Sequence, residues 1–299
     1  MPEGDTIARA ARTLDGALAG RTLIRFEARR LLAAAPRPGI TIERVDSRGK
    51  HLLVHFGDGR VLHTHLQMTG SWHVYQPGAR WRKPAHLARV VLEVDDGTVA
   101  VCFSAPVVEM LTGDLRALGS RSGAGGAAGL ATLGPDLCRD DADLDEVVRR
   151  LAALDPATEV AVALLDQRVA AGIGNVYKSE VCFACGIDPR TPVAALDDAL
   201  RRRLFETASA QLRSNLDAPY RTTVPGGLAV YGRAGRSCRR CGGRIRRLRQ
   251  GAPARSTYWC PTCQPTPVVG VPITDMPMTD MPITDMPVQS RASRPEGQR

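Results

Sequence analysis

Four cysteines near the C-terminus have the spacing most plainly suited to chemistry. Cys238 and Cys241 form one Cys-x2-Cys pair, Cys260 and Cys263 form a second, and eighteen residues separate the pairs. Thiolates two residues apart can face one cation, and two such pairs complete a tetrahedron. The spacing predicts a single zinc ion. Four thiolates leave no open coordination position, so the metal is expected to hold structure and not to react. Residues 242–259 are rich in arginine, and the metal would stiffen a basic hairpin too short to order itself. Disulfides are the other chemistry open to such pairs, but nothing else in the chain suggests secretion. Cys182 and Cys185 are also two apart, but they fall within a helical apolar pattern and read as small buried thiols.

The other end of the chain offers a different chemistry. Pro2 follows Met1, and a small second residue permits removal of the initiator. The chain would then begin with a secondary amine. An α-amino group has a pKa of about 7.7–8.0, so a useful fraction is neutral near pH 7. Such an amine attacking an aldehyde-level carbon gives an iminium, an electron sink for elimination. Glu3 stands beside it as a proton donor or acceptor. Taken alone, a Met-Pro-Glu start is ordinary.

The elements that must position these groups can be read from pattern. The chain has 299 residues, enough for two compact domains and a small module, and its 43% hydrophobic content supports ordinary cores. No run of eighteen apolar residues appears, so no membrane span is expected. The opening residues are not a signal peptide, and the cysteine usage reads as cytoplasmic. An amphipathic helix is expected over residues 5–18. Apolar alternations at 40–45, 51–56, 60–65, 88–94 and 99–103 follow, separated by turns at 57–59 and 95–97. They predict antiparallel hairpins in a sandwich or barrel. Residues 119–131 read as a Gly/Ala/Ser linker. Apolar positions at helical period over 147–154, 160–169, 176–185 and 196–212 predict a helical region within 132–227. The zinc hairpin occupies 228–264. The near-repeats ITDMP, MTDMP and ITDMP mark 265–299 as a disordered tail.

Charge is unevenly placed. The whole chain carries +9, whereas residues 201–264 hold fourteen arginines, no lysine, one glutamate and one aspartate. An arginine field of this kind points to phosphate, as nucleic acid presents it. Arginine without lysine favours bidentate phosphate contact over a merely solvated surface.

Together these stretches resemble the formamidopyrimidine-DNA glycosylase / endonuclease VIII family of bifunctional base-excision enzymes. The matching segments are Met1-Pro-Glu-Gly-Asp5, Ser47-Arg-Gly-Lys-His-Leu-Leu53, His65-Leu-Gln-Met-Thr-Gly-Ser-Trp72, Leu133-Gly-Pro-Asp136, Leu164-Leu-Asp-Gln-Arg168, Gly172-Ile-Gly-Asn-Val-Tyr-Lys-Ser-Glu180 and Val230-Tyr-Gly-Arg233, the last leading into the zinc hairpin. They fall in family order over residues 1–264 and leave only the tail uncovered. The resemblance implies an α+β chain. An antiparallel β-sandwich with an N-terminal helix comes first (residues 1–118). A helix–two-turn–helix domain and a four-cysteine zinc finger follow.

By matched position, Pro2 resembles the family's nucleophile and Glu3 its acid/base partner. Lys50 resembles the lysine that assists at this site. Asn175 resembles a phosphate-binding residue of the helix–two-turn–helix motif. The Gly172-x-Gly174 pair would let backbone approach closely, and the next helix would offer free N–H groups to a phosphate. Arg255 resembles the zinc-hairpin arginine that clamps phosphates flanking the lesion. A flipped nucleotide must be replaced in the stack, and Gln67 and Met68, on the loop after the 60–65 strand, are the candidates.

The implied partner is damaged double-stranded DNA, bound by a monomer with no membrane association. The implied reaction is base removal followed by β- and δ-elimination. The guanine-directed branch of the family carries an Arg-Arg-Phe element where this chain reads Cys102-Phe-Ser-Ala-Pro106, and a longer loop where this chain has only residues 215–228. Both departures favour an endonuclease VIII-like enzyme acting on oxidised pyrimidines. A non-catalytic DNA-binding module is the rival reading, and the joint presence of Pro2, Glu3 and Lys50 argues against it.

Overall fold

The computed structural model describes residues 2–28, 31, 35–112 and 127–266. The first helix, α1, spans Gly4–Leu18. Ile7, Ala11, Leu14 and Leu18 recur at three- and four-residue spacing and are all buried, so one face of α1 enters the core.

Eight strands follow in two antiparallel four-stranded sheets. They are β1 (Leu23–Glu27), β2 (Ile42–Arg48), β3 (His51–Phe56), β4 (Arg60–His65), β5 (Ser71–Tyr75), β6 (Ala88–Val94), β7 (Val99–Phe103) and β8 (Val107–Thr112). One sheet runs β1-β6-β7-β5 and the other β2-β3-β4-β8. Leu23, Val90, Leu92 and Cys102 of the first share a core with Ile42, Leu52, Val54 and Leu62 of the second, together with the buried face of α1. This is the expected sandwich. The middle strand β3 is buried along its whole length, including His51 and His55. Strands β1, β5 and β8 lie outside the alternations read from sequence.

The stretch read as a linker falls largely outside the described residues, but its end, Ala127–Ala131, forms a short helix, α2. Helices α3 (Leu144–Ala152), α4 (Val160–Ala163), α5 (Asn175–Ala184) and α6 (Asp198–Ser214) form the helical region. The periodicity over 160–169 yields only the four-residue α4. Beyond it the chain turns, with Leu165 N–H bonded to Val162 O and Val169 N–H to Asp166 O. Apolar burial at Val160, Ala163, Leu164 and Val169 thus serves a compact turn and not a long helix.

The last strands, β9 (Arg246–Gln250) and β10 (Arg255–Trp259), pair antiparallel as the hairpin expected between the cysteine pairs. Phe183 at the end of α5 packs with Ala229, Val230, Cys238, Ile245 and Cys260, fastening this module to the helices. Glu180 on α5 helps. Its carboxylate accepts from the N–H groups of Ala229 (2.8 Å), Val230 (2.9 Å) and Tyr231 (2.8 Å). No helix among the described residues is long and apolar enough to cross a membrane.

Candidate active site

The N-terminus is stitched into the turn between α4 and α5. Gly4 N–H donates to Gly172 O at 2.9 Å. A Cβ on Gly4 would stand 2.8 Å from both Gly172 Cα and Cys138 Sγ, so only glycine allows this approach. Gly172 itself sits at φ +108°, in the region that favours glycine.

Glu3 is fully buried. It holds the N-cap position of α1 but does not cap that helix with its side chain. Its carboxylate caps α5 instead. Oε1 accepts from Val176 N–H at 2.8 Å, and Oε2 accepts from Gly174 N–H at 3.1 Å and Tyr177 N–H at 3.3 Å. The N-terminus of α5 was expected to offer its free N–H groups to a phosphate; three of the donors there are already taken by Glu3. A carboxylate at a helix N-terminus also gains from the helix dipole. The close fit depends on Gly174, where a Cβ would fall 2.3 Å from Glu3 Cδ.

Asp5 makes the second anchor. Its carboxylate accepts from Tyr177 OH at 3.1 Å and Arg221 Nε at 2.8 Å, and the Arg221 guanidinium lies 5.0 Å from the Tyr177 ring centroid. Burial and the Asp5 charge push the Tyr177 phenol well above its ordinary range.

Lys50 follows Gly49, whose φ of +55° turns the chain after β2. The Gly49 N–H donates to Asp136 Oδ2 at 2.8 Å, and Lys50 Nζ donates to Ile173 O. Burial lowers the Lys50 ammonium to about 8; Glu3 opposes the fall and Arg255 adds to it.

These groups meet at a pocket of about 500 Å3. Pro2, Lys50, Gln67, Met68, Asn175 and Arg255, all singled out from sequence, line it. Glu3 lies buried behind Pro2 on the Gly174 backbone, which also lines it. Gln67 adopts φ +45°, a strained conformation for a residue with a side chain. It is fixed there by a 3.2 Å bond from its N–H to His65 Nδ1. Met68 beside it is 60% exposed, so it belongs to no core. Arg255 is exposed at the first position of β10.

The pocket wall also holds residues not singled out from sequence, among them His65 and Lys178. Both lie inside the matching motifs, but their type alone carries no sign of burial. His65 stacks edge-on to His51, whose Nδ1 meets His63 Nε2 at 2.8 Å. Burial, with His63 and the Lys50 ammonium nearby, lowers His65 to about 4, so it is neutral at pH 7. Lys178 is fully buried, with Nζ donating to Asn175 Oδ1 at 2.7 Å, Thr257 Oγ1 at 2.7 Å and Ser256 O at 3.1 Å.

The four cysteines of the hairpin form a separate site. Their sulfurs all lie within 4.8 Å of one another, with Cys238 and Cys263 Sγ 3.9 Å apart and Cys241 and Cys260 Sγ 3.5 Å apart. Sulfurs bound tetrahedrally at about 2.3 Å from zinc stand about 3.8 Å apart, so the set fits this ion. It is the one such group among the described residues. Cys182 and Cys185 are buried apart from it, and Cys185 Sγ donates to Thr207 Oγ1 at 3.5 Å.

Comparison with known proteins agrees with this arrangement. The formamidopyrimidine-DNA glycosylase N-terminal domain model matches residues 1–106, the H2TH domain model of the same enzymes 133–223, and the zinc finger found in FPG and IleRS 237–266. The chain belongs to the formamidopyrimidine-DNA glycosylase / endonuclease VIII family of DNA-repair enzymes, a family of DNA glycosylases and abasic-site lyases. A probable endonuclease 8 2 of Streptomyces coelicolor is 45% identical over 276 residues, covering 89% of this chain and 95% of that protein. The DNA-(apurinic or apyrimidinic site) lyase Nei2 of Mycolicibacterium smegmatis is 40% identical, covering 88% and 99%. The fold matches that of Lactococcus lactis formamidopyrimidine-DNA glycosylase, crystallised with DNA containing an abasic site. That match has TM-score 0.72 and 24% identity, over 89% of this chain and all of the other.

Proposed function

We propose that this enzyme removes oxidised pyrimidines from duplex DNA and cuts the strand by β- and δ-elimination through a Schiff base on Pro2. The observation that carries the reading is the placement of Pro2 on a pocket shared with Lys50, Asn175 and Arg255, with Glu3 fixed beside it. Loss of Met1 would free the Pro2 amine. The amine attacks C1′ of a flipped nucleotide, the C1′–base bond breaks, and the base departs with that electron pair and takes a proton. The nitrogen gives up its proton, the C1′–O4′ bond breaks with O4′ taking a proton, and the opened sugar is held as an iminium between Pro2 and C1′. Removal of a C2′ proton then expels the 3′-phosphate, and a second elimination expels the 5′-phosphate.

Glu3 suits the proton transfers. Three N–H groups hold its carboxylate in place. Oε1 takes only one of them among the described residues, which leaves a lone pair for the sugar. Lys50, Asn175 and Arg255 supply donors for the phosphates that flank the lesion. Met68, exposed on the strained loop, is shaped to fill the stack the base has left. The zinc, one per chain in a closed thiolate site, holds the hairpin that carries Arg255 and takes no part in the reaction.

Preference for pyrimidines rests on the missing Arg-Arg-Phe element and on the endonuclease 8 relatives. The test is single-turnover cleavage of duplexes carrying one oxidised pyrimidine, one 8-oxoguanine or one formamidopyrimidine. The expected result is fastest excision of the oxidised pyrimidine, leaving a one-nucleotide gap with phosphate at both ends. Fastest excision of 8-oxoguanine would overturn the lesion assignment, and a product cut on one side only would overturn δ-elimination.

A further inference from the structure

Lys178 is the least expected residue of the pocket wall. It stands one helical turn beyond Asn175 on α5, with no exposed surface. Burying an ammonium is costly, and an apolar residue of similar length would be cheaper for folding alone. No carboxylate pairs with it directly among the described residues. Three neutral acceptors surround it: Asn175 Oδ1 at 2.7 Å, Thr257 Oγ1 at 2.7 Å and Ser256 O at 3.1 Å. An ammonium has three protons and no acceptor, so these contacts use it completely.

Two consequences follow. Because the ammonium can only donate, the Asn175 atom that meets it must be the carbonyl oxygen. The side-chain NH2 of Asn175, with both its donors, is therefore turned away from Lys178, and Asn175 lines the pocket. The other two acceptors are the residues next after Arg255 on β10. One buried charge thus ties the amide of the helical region to the strand that presents the arginine of the zinc hairpin.

We infer that Lys178 is a positioning residue for DNA binding, which sets the Asn175 amide and the start of β10 into one phosphate clamp. It does not touch the phosphate itself, since all three of its protons are engaged. The charged groups around it fit this part. Burial lowers its ammonium to about 8, Glu3 opposes the fall, and Arg255 adds to it. The inference rests on the proposed phosphate contact of Asn175.

The test is a double-mutant cycle on affinity for duplex DNA carrying a non-cleavable abasic-site analogue. It uses the full chain with zinc bound and the variants Lys178→Met, Asn175→Ala and the pair. Lys178→Met is expected to weaken binding roughly 10- to 100-fold, the worth of a hydrogen bond to a charged group. Asn175→Ala should weaken it similarly, and the pair should be little worse than Asn175→Ala alone. The single-turnover rate at saturating enzyme should change far less than affinity, which separates grip from chemistry. Thr257→Val removes one acceptor with little change of shape and should give a smaller loss in the same direction.

If wild type fails to bind the analogue, the proposed function fails. If wild type binds and the two losses simply add, or Lys178→Met binds as wild type does, the clamp is wrong. Lys178→Met that loses zinc or unfolds leaves Thr257→Val to decide, and unchanged affinity there overturns the inference.

Discussion

Gly174→Ala puts the arrangement around Glu3 under the sharpest strain. The added methyl would lie 2.3 Å from Glu3 Cδ, 2.5 Å from Cγ and 2.6 Å from Oε1. Real side chains do not approach so closely, so the carboxylate must leave. It has little room to slide, because the next residue is held by the 2.9 Å bond from Gly4 N–H to Gly172 O. Displacement breaks up to three N–H···carboxylate bonds at the start of α5. A hydrogen bond to a charged group is worth about 1.5–3 kcal/mol, so loss of even one should destabilise the protein by that amount. The effect on chemistry should be larger. A misplaced proton-transfer group typically costs about 10²- to 10⁴-fold in rate. The assay is single-turnover excision beside chemical denaturation, with Gly16→Ala as control. Gly16 lies in α1 with nothing within 4 Å of its added methyl, and alanine there should stabilise by about 0.5–1 kcal/mol with unchanged rate. Wild-type excision by Gly174→Ala would refute the role given to Glu3.

Other perturbations should separate the remaining parts. Cys238→Ser should lose zinc and DNA binding, whereas Cys182→Ser should keep both; metal analysis with a binding assay decides, and zinc loss in the Cys182 variant would contradict the ligand set. Arg255→Ala should weaken lesion-DNA binding by about 1.5–3 kcal/mol and reduce the salt slope of log K by about one. Arg255→Lys should also be damaging if the guanidinium grips a phosphate bidentately, and titrations at several salt concentrations report both. Burial places the ammonium groups of Lys50 and Lys178 near 8, so DNA affinity should fall as pH rises from about 7 to 9, and Lys50→Gln should flatten that profile. Stability responds with the opposite sign. Both folded values lie below the ordinary 10.5, so the unfolded chain holds more protons between about 8 and 10.5, and stability gains with pH there.

What the sequence revealed follows from which forces are local. Strands β3, β4, β6 and β7 were legible because buried interior strands concentrate apolar residues between glycine turns. The three strands missed, β1, β5 and β8, are all sheet edges. Their alternation is blurred. β1 exposes Ile24 by half, and β5 has only Tyr75 fully buried. The cysteine ligand set was legible because metal geometry fixes spacing. The Glu3 cap on α5 was not, because its partners lie more than 170 positions away and nothing local links the two. Lys178 hid for a related reason. Lysine is ordinarily a surface residue, and only the meeting of α5 with β10 shows it buried.

In the proposed mechanism the Pro2 amine forms the bond to the sugar. Borohydride reduction of the enzyme on abasic-site DNA, followed by proteolysis and mass mapping of the adduct, tests it most directly. The expected result is a mature chain beginning at Pro2 and a reduced sugar adduct on the N-terminal peptide, attached to the proline nitrogen. A variant retaining Met1 should trap little DNA. An adduct mapped to Lys50 or Lys178, or full trapping by a chain that still carries Met1, would contradict this mechanism.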